Sequence, residues 1–176
     1  MALARARVIY GSPAARAGVD GVIHPVLTGA ALASPRDPLA LRTAVLEMRE
    51  RMAAHKAPKG PLDVKLARGG LVDAEFVIHY LQLREGRALT PDLGAALEAL
   101  VAAGLLPDAM RDGFAFLSRL LVAARLLAPD CAEPPAAACA ALALACGCDD
   151  WASVLARLAA AQAGVRAAWA SVFGEI

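Results

Sequence analysis

One stretch decides the fold of this chain: Asp63-Val-Lys65-Leu-Ala-Arg68-Gly69-Gly70-Leu-Val-Asp73-Ala-Glu75-Phe76-Val-Ile-His79-Tyr80-Leu-Gln-Leu83. It begins as a short extended run, passes through a pair of glycines and continues as a helix. The apolar side chains of that helix recur at helical spacing and form one stripe: Val72, Phe76, Tyr80 and Leu83. Its polar side chains fall on a second side: Glu75, His79 and Gln82. The stretch therefore predicts an extended run, a glycine turn and an amphipathic helix.

The glycine pair predicts an anion site at the start of this helix. Gly69 and Gly70 allow backbone torsions that a side chain would forbid. A glycine turn that leads into a helix N-terminus leaves backbone N–H groups free, and such ends attract anions. Lys65 and Arg68 lie just upstream and can reach the same anion. The alternative is that the glycines form an ordinary turn.

Three motifs occur in order along the first half of the chain. Residues 4–13 read Ala-Arg-Ala-Arg-Val-Ile-Tyr-Gly-Ser-Pro, and residues 46–52 read Leu-Glu-Met-Arg-Glu-Arg-Met. The stretch 63–83 then supplies Asp-x-Lys, Gly-Gly-x-x-Asp-x-Glu-Phe and Tyr-Leu. Together they resemble the bifunctional glutamine-synthetase adenylyltransferase and adenylyl-removing family. In that family they correspond to the arginine-rich end of a nucleotidyltransferase domain, a Met-Arg-Glu-x-Met helix and the motif after it. The rest of the chain resembles the family only as a helical domain rich in alanine and leucine.

The resemblance implies a function and its partners. Enzymes of this family transfer AMP from ATP to a tyrosine of glutamine synthetase and remove it by phosphorolysis. The helical domain would form one wall of the cleft, with ATP and magnesium as cofactors of the parent enzyme and none bound by this chain alone. The implied partners are the missing nucleotidyltransferase domain, glutamine synthetase and a PII-type signalling protein.

The resemblance also implies roles for particular residues. The nucleotide- or phosphate-binding set would be Lys65, Arg68, Gly69 and Gly70. Asp73 and Glu75 would orient the nucleotide or the protein substrate. The structural alternative is that Asp73 caps the helix, whose dipole an acid in the first turn suits, and that Glu75 caps it or pairs with Lys65.

The sequence lacks the carboxylates that nucleotidyl transfer requires. This chemistry uses magnesium held by closely spaced carboxylates, which the related enzymes carry as Gly-Ser followed by Asp-x-Asp. Here Gly11-Ser12 leads into Pro-Ala-Ala, and Asp149-Asp150 are adjacent rather than alternating. We therefore expect no catalytic residue, no metal ligand and no activity from the chain alone.

Two other functions are compatible with these features. One is a non-enzymatic interaction module that kept the helical fold and lost the activity. The other is a stand-alone nucleotide-binding regulator. Whether the chain is a fragment or a natural short protein is open at this point, and the neighbouring coding sequence would decide it.

Composition argues against two classes of partner. The formal net charge of +1 gives no reason to expect nucleic acid or an anionic membrane. The longest apolar run, residues 136–146, is too short and too rich in alanine to span a bilayer.

The first residues lack the apolar core of a signal peptide, so we expect a cytoplasmic protein. The four cysteines are expected to be small apolar residues rather than zinc ligands: Cys131, Cys139, Cys146 and Cys148.

The patterns predict an all-α bundle of about six to eight helices over residues 13–176, a nucleotidyltransferase-associated helical domain. Residues 1–12 would be the tail of an absent nucleotidyltransferase domain or a lead-in. The predicted helices cover residues 13–28, 41–52 and 71–83, then start at Thr90-Pro91, at Pro107, at 136 and at Asp149 or Asp150. Residues 29–38 are predicted as a loop.

The second of these helices carries the stripe Leu41, Val45, Met48 and Met52. Arg49 lies off that stripe and is predicted on a solvated face. The resemblance offers the alternative that Arg49 lies near the active-site cleft.

Overall fold

The computed structural model describes residues 2–29 and 37–174. Over those residues it contains a short 3-10 helix, seven α-helices and no strand, so the predicted all-α fold is confirmed. The 3-10 helix covers Ala2–Arg5. The α-helices are α1 Pro13–Thr28, α2 Pro38–His55, α3 Leu71–Glu85, α4 Leu93–Ala102, α5 Ala109–Leu127, α6 Ala136–Cys146 and α7 Trp151–Phe173. Most of the loop predicted at 29–38 lies outside the described residues.

Contacts divide the chain into two compact units. Unit 1 contains residues 1–47 and 76–106, and unit 2 contains residues 48–75 and 107–176. Both α2 and α3 therefore contribute residues to each unit. The boundary predicted after residue 12 stays a prediction.

In unit 1, local capping explains where α1 begins and ends. The Ser12 side chain accepts a hydrogen bond from the Ala15 N–H at 3.2 Å, and proline occupies the first helical position. Gly29 ends the helix with φ 83°, a left-handed conformation that suits glycine. One apolar cluster of this unit is formed by Ala4, Leu27 and Leu83, with Ile23, Leu41 and Leu89 packed against it.

The second half of α3 and the connection after it share a buried polar network in unit 1. The Gln82 side-chain amide donates to the carbonyl oxygens of Ala88 at 2.5 Å and Thr90 at 3.2 Å. Its oxygen lies 2.8 Å from Nδ1 of His79, so that nitrogen is the donor. Gln82 and His79 are 0% and 5% exposed, so the polar side of α3 is buried at these two residues. Polar side chains tolerate burial when such hydrogen bonds form.

The helix α4 begins later than Thr90-Pro91 predicts. Asp92 is its N-cap and accepts a hydrogen bond from the Ala95 N–H at 2.7 Å. The aspartate carboxylate thus takes the capping role that the sequence pattern assigned to threonine. The predicted stop at Gly104 is confirmed, since Gly104 has φ 71° just after the helix ends.

In unit 2, helices α5, α6 and α7 pack against one another. The large apolar side chains of their core are Met110, Phe116, Leu117, Leu120, Leu142, Val154, Leu158, Val165, Trp169 and Phe173. Gly147 ends α6 and Asp150 caps α7, and both predictions are confirmed. Leu155 on α7 lies outside this core and is 42% exposed.

No single helix of the described ranges is long and apolar enough to cross a bilayer. The bent pair of α6 and α7, with 56° between its members, reaches the required length and composition by itself among the described residues.

Candidate functional site

Residues 63–70, which we call the basic turn, form a series of tight turns in unit 2. The extended run predicted here is wrong. Asp63 is buried, and its carboxylate accepts hydrogen bonds from the N–H groups of Lys59 and Leu66, each at 3.1 Å. An aspartate that bonds nearby backbone N–H groups folds the chain back on itself, which accounts for the turns.

Close backbone packing explains both glycines of the basic turn. Gly69 has φ 78°, so the prediction of unusual torsions is confirmed there. A Cβ atom on Gly69 would lie 2.3 Å from the carbonyl oxygen of Gln162 on α7. One on Gly70 would lie 2.5 Å from the carbonyl oxygen of Val64 and 2.7 Å from that of Ala67. Any side chain at either position would therefore force the backbone apart.

The N–H groups at the start of α3 are already hydrogen-bonded. Gly70 donates to the Ala67 carbonyl at 2.9 Å, Leu71 to the Val64 carbonyl at 2.9 Å, and Val72 to the Lys65 carbonyl at 3.1 Å. The Gly69 N–H donates to the Asp73 carboxylate at 2.7 Å. The expectation of free backbone N–H groups is therefore wrong for these four groups, because the turn and an aspartate use their donors.

A buried ion pair between Arg49 and Asp73 holds the basic turn in place. Nε of Arg49 lies 2.5 Å from the Asp73 carboxylate, and both side chains are 4% exposed. A second guanidinium nitrogen of Arg49 donates to the Leu66 carbonyl oxygen at 3.1 Å. Arg49 thus ties α2 to the turn and to the start of α3. Asp73 is engaged on both oxygens, which favours the structural alternative for this residue.

The predicted solvated face is wrong at Arg49. The sequence did contain a signal, since Arg49 lies four residues after the buried Val45 and so shares its side of α2. Met48, which the predicted stripe placed inside, is 44% exposed. The pattern of α2 predicts solvent exposure for Arg49 because its partner, Asp73, lies 24 residues away and is not visible in local periodicity.

Lys65 and Arg68 are exposed on the basic turn, and Glu75 is half-buried in the first turn of α3. The structure thus places the predicted basic residues, both glycines and Asp73 in one local site within unit 2. The assigned roles in nucleotide binding and orientation stay predictions.

Burial explains the chemistry of two cysteines. It raises the pKa of the Cys146 thiol, with a further contribution from Cys148, and it raises the pKa of the Cys131 thiol, with a further contribution from Asp63. A raised pKa leaves little thiolate at neutral pH, so neither is a good nucleophile. Within the described residues, no group of three or more His, Cys, Asp or Glu side chains could hold a metal ion.

The fold and the basic turn define a class: an all-α domain that presents two basic side chains on a turn fixed by a buried ion pair. Residues 40–173 match the family model described as GlnD PII-uridylyltransferase. The chain therefore belongs to that nucleotidyltransferase-related family.

Curated relatives agree with the resemblance found in the motifs. The bifunctional glutamine synthetase adenylyltransferase/adenylyl-removing enzyme of Bradyrhizobium sp. (strain BTAi1) is 36% identical over 99% of this chain. The proteins of the same name from Caulobacter vibrioides and Rhodopseudomonas palustris (strain HaA2) are 37% and 36% identical over 98% and 99% of it. The chain spans 18% of the length of each of these relatives. The recognition of the adenylyltransferase family is confirmed.

Proposed function

We propose that this chain is the helical, cleft-forming part of a glutamine-synthetase adenylyltransferase-like enzyme of the cytoplasm. In this proposal AMP passes from ATP to a tyrosine of glutamine synthetase and is removed again by phosphorolysis. The similarity to adenylyltransferases over nearly the whole chain supports the reaction class. The observation that carries this role is the geometry of the basic turn. Lys65 and Arg68 are exposed there, and the buried pair of Arg49 and Asp73 fixes the backbone.

The geometry suits these residues to handling phosphate. Exposed ammonium and guanidinium groups can donate charge-assisted hydrogen bonds to phosphate oxygens. Arg49 and Asp73 act as positioning residues, because their buried pair holds the backbone from which Lys65 and Arg68 project. A fixed backbone reduces the conformational freedom that binding would otherwise remove. Magnesium would belong to the complete enzyme, and no step assigned to this chain uses it.

One observation favours a second function, the non-enzymatic interaction module. Packing accounts for both glycines, and the N–H groups that begin α3 are used within the chain. The motif can therefore be explained as a device that keeps the fold. The two functions differ in whether Lys65 and Arg68 matter for activity.

The test uses the complete gene product that contains this chain, with ATP, magnesium and glutamine synthetase. Lys65→Ala and Arg68→Ala should each reduce AMP incorporation about tenfold to a hundredfold, since a hydrogen bond to a charged group contributes roughly 1.5–3 kcal/mol. Melting temperatures should barely change, because exposed charges add little stability.

Arg125→Ala is the matched control, as Arg125 is an exposed arginine on α5. It should leave AMP incorporation unchanged. Wild-type activity together with full activity of both turn variants would reject the assigned site. Absence of any AMP transfer or removal by the wild-type product would favour the interaction module.

A further inference from the structure

The last helix contacts the basic turn at the position where its glycines lie. The carbonyl oxygen of Gln162 on α7 approaches Gly69 so closely that a Cβ atom there would be 2.3 Å away. One turn further along α7, Nη1 of Arg166 donates to the Arg68 carbonyl oxygen at 3.4 Å. The missing side chain at Gly69 is thus what lets α7 bring an arginine onto this turn.

Arg166 adds a third exposed cation to Lys65 and Arg68. Over the described ranges 2–29 and 37–174, none of these three residues forms an ion pair. Two other arginines have acidic partners: the exposed Arg84 pairs with Glu85, and the half-buried Arg111 with Asp108. Positive side chains without an acidic partner can take a bound anion as their counter-charge.

We propose that Arg166 is a phosphate-binding residue that acts with Arg68 on the phosphate groups of a nucleoside triphosphate. The hydrogen bond from Nη1 to the Arg68 carbonyl places the guanidinium of Arg166 at this turn. The remaining N–H groups of this planar fork stay available, and such forks match phosphate oxygens in a bidentate manner. The inference deepens the proposed function and rests on it for its biological setting.

The ligand class follows from the donors. Two guanidinium groups and one ammonium group provide positive charge and N–H donors. The neighbouring phosphate groups of a single polyphosphate can accept hydrogen bonds from several of these donors at once. We therefore expect the triphosphate part of the nucleotide to be recognised, with the base contributing little at this turn.

The proposal departs from the expectation that the chain alone binds no nucleotide. Calorimetric titration of the 176-residue chain with ATP, and separately with inorganic tripolyphosphate, tests it. Arg166→Ala should weaken the binding of both probes about tenfold. Arg166→Lys should lose part of this affinity, since it keeps the charge and loses the fork. Arg125→Ala removes another exposed arginine, from α5, and should bind both probes as the wild type does.

Thermal unfolding of each variant without ligand separates binding from structure. Unchanged melting of Arg166→Ala with weakened binding supports the proposal. Lowered melting with unchanged binding overturns it, because Arg166 would then serve the fold alone. Equal losses in Arg166→Ala and Arg125→Ala also overturn it, since general charge would explain them. So does a wild-type chain that binds neither probe saturably.

These outcomes are distinct from failure of the proposed function. Binding that depends on Arg166, in a chain whose complete gene product transfers no AMP to glutamine synthetase, would reject the adenylyltransferase assignment and keep the phosphate site. AMP transfer that persists without any dependence on Arg166 would reject this inference and keep the assignment.

Discussion

At the scale of single residues, the buried pair of Arg49 and Asp73 controls the basic turn. Asp73→Asn preserves shape but leaves the Arg49 guanidinium buried opposite a neutral amide. Breaking one side of a buried pair typically costs about 3–5 kcal/mol, so we expect a clear drop in the free energy of unfolding. Urea denaturation of the chain, followed by circular dichroism, measures it.

Asp149→Asn provides the control for that substitution, because Asp149 is exposed. It should change the free energy of unfolding by less than about 0.5 kcal/mol. A nearly silent Asp73→Asn would show that the carboxylate serves only as a helix cap, since asparagine caps equally well. In the complete gene product, activity loss of Asp73→Asn should follow its loss of stability. A large loss of activity at wild-type stability would instead give Asp73 a direct functional role.

At the scale of helices, the N-terminus of α7 depends on one carboxylate. Hydrogen bonds from the side chain and the backbone of Ser153 lower the pKa of Asp150. A lowered folded pKa means that the stabilisation is present above the unfolded pKa and is lost as the pH falls through the folded one. We therefore expect part of the stability to disappear below about pH 4. Asp150→Asn should keep the cap at neutral pH and lose this acid-dependent part.

Thermal unfolding of wild type and Asp150→Asn between pH 2 and 7 measures the difference. The melting temperatures should converge as the pH falls, and Asp150→Ala should melt below both at neutral pH. A pH dependence that is the same in wild type and Asp150→Asn would contradict this account of the cap.

The helices also show what local sequence can and cannot predict. Ser12-Pro13, Gly147 and Asp150 act through neighbouring residues, so they locate the ends of α1, α6 and α7 correctly. Arg49 and Arg166 were missed because their partners lie 24 and 98 residues away, where periodicity carries no information.

In the candidate site too, local features could be predicted from the sequence and contacts made by folding could not. Lys65, Arg68 and the glycine pair could be found from the motif. The use of the N–H groups by Asp73 and by turn carbonyls could not be found in this way, because it depends on how the chain folds back between residues 63 and 70.

At the scale of the whole molecule, the 176-residue chain alone should not adenylylate glutamine synthetase. Nucleotidyl transfer requires carboxylates that hold magnesium close to the reacting phosphate. The sequence contains no Gly-Ser followed by Asp-x-Asp. Incubation with ATP, magnesium and glutamine synthetase tests this, and the full-length relative from Caulobacter vibrioides serves as the positive control. AMP incorporation by the chain above background would mean that it carries its own catalytic centre, and its role as one wall of a cleft would then be wrong.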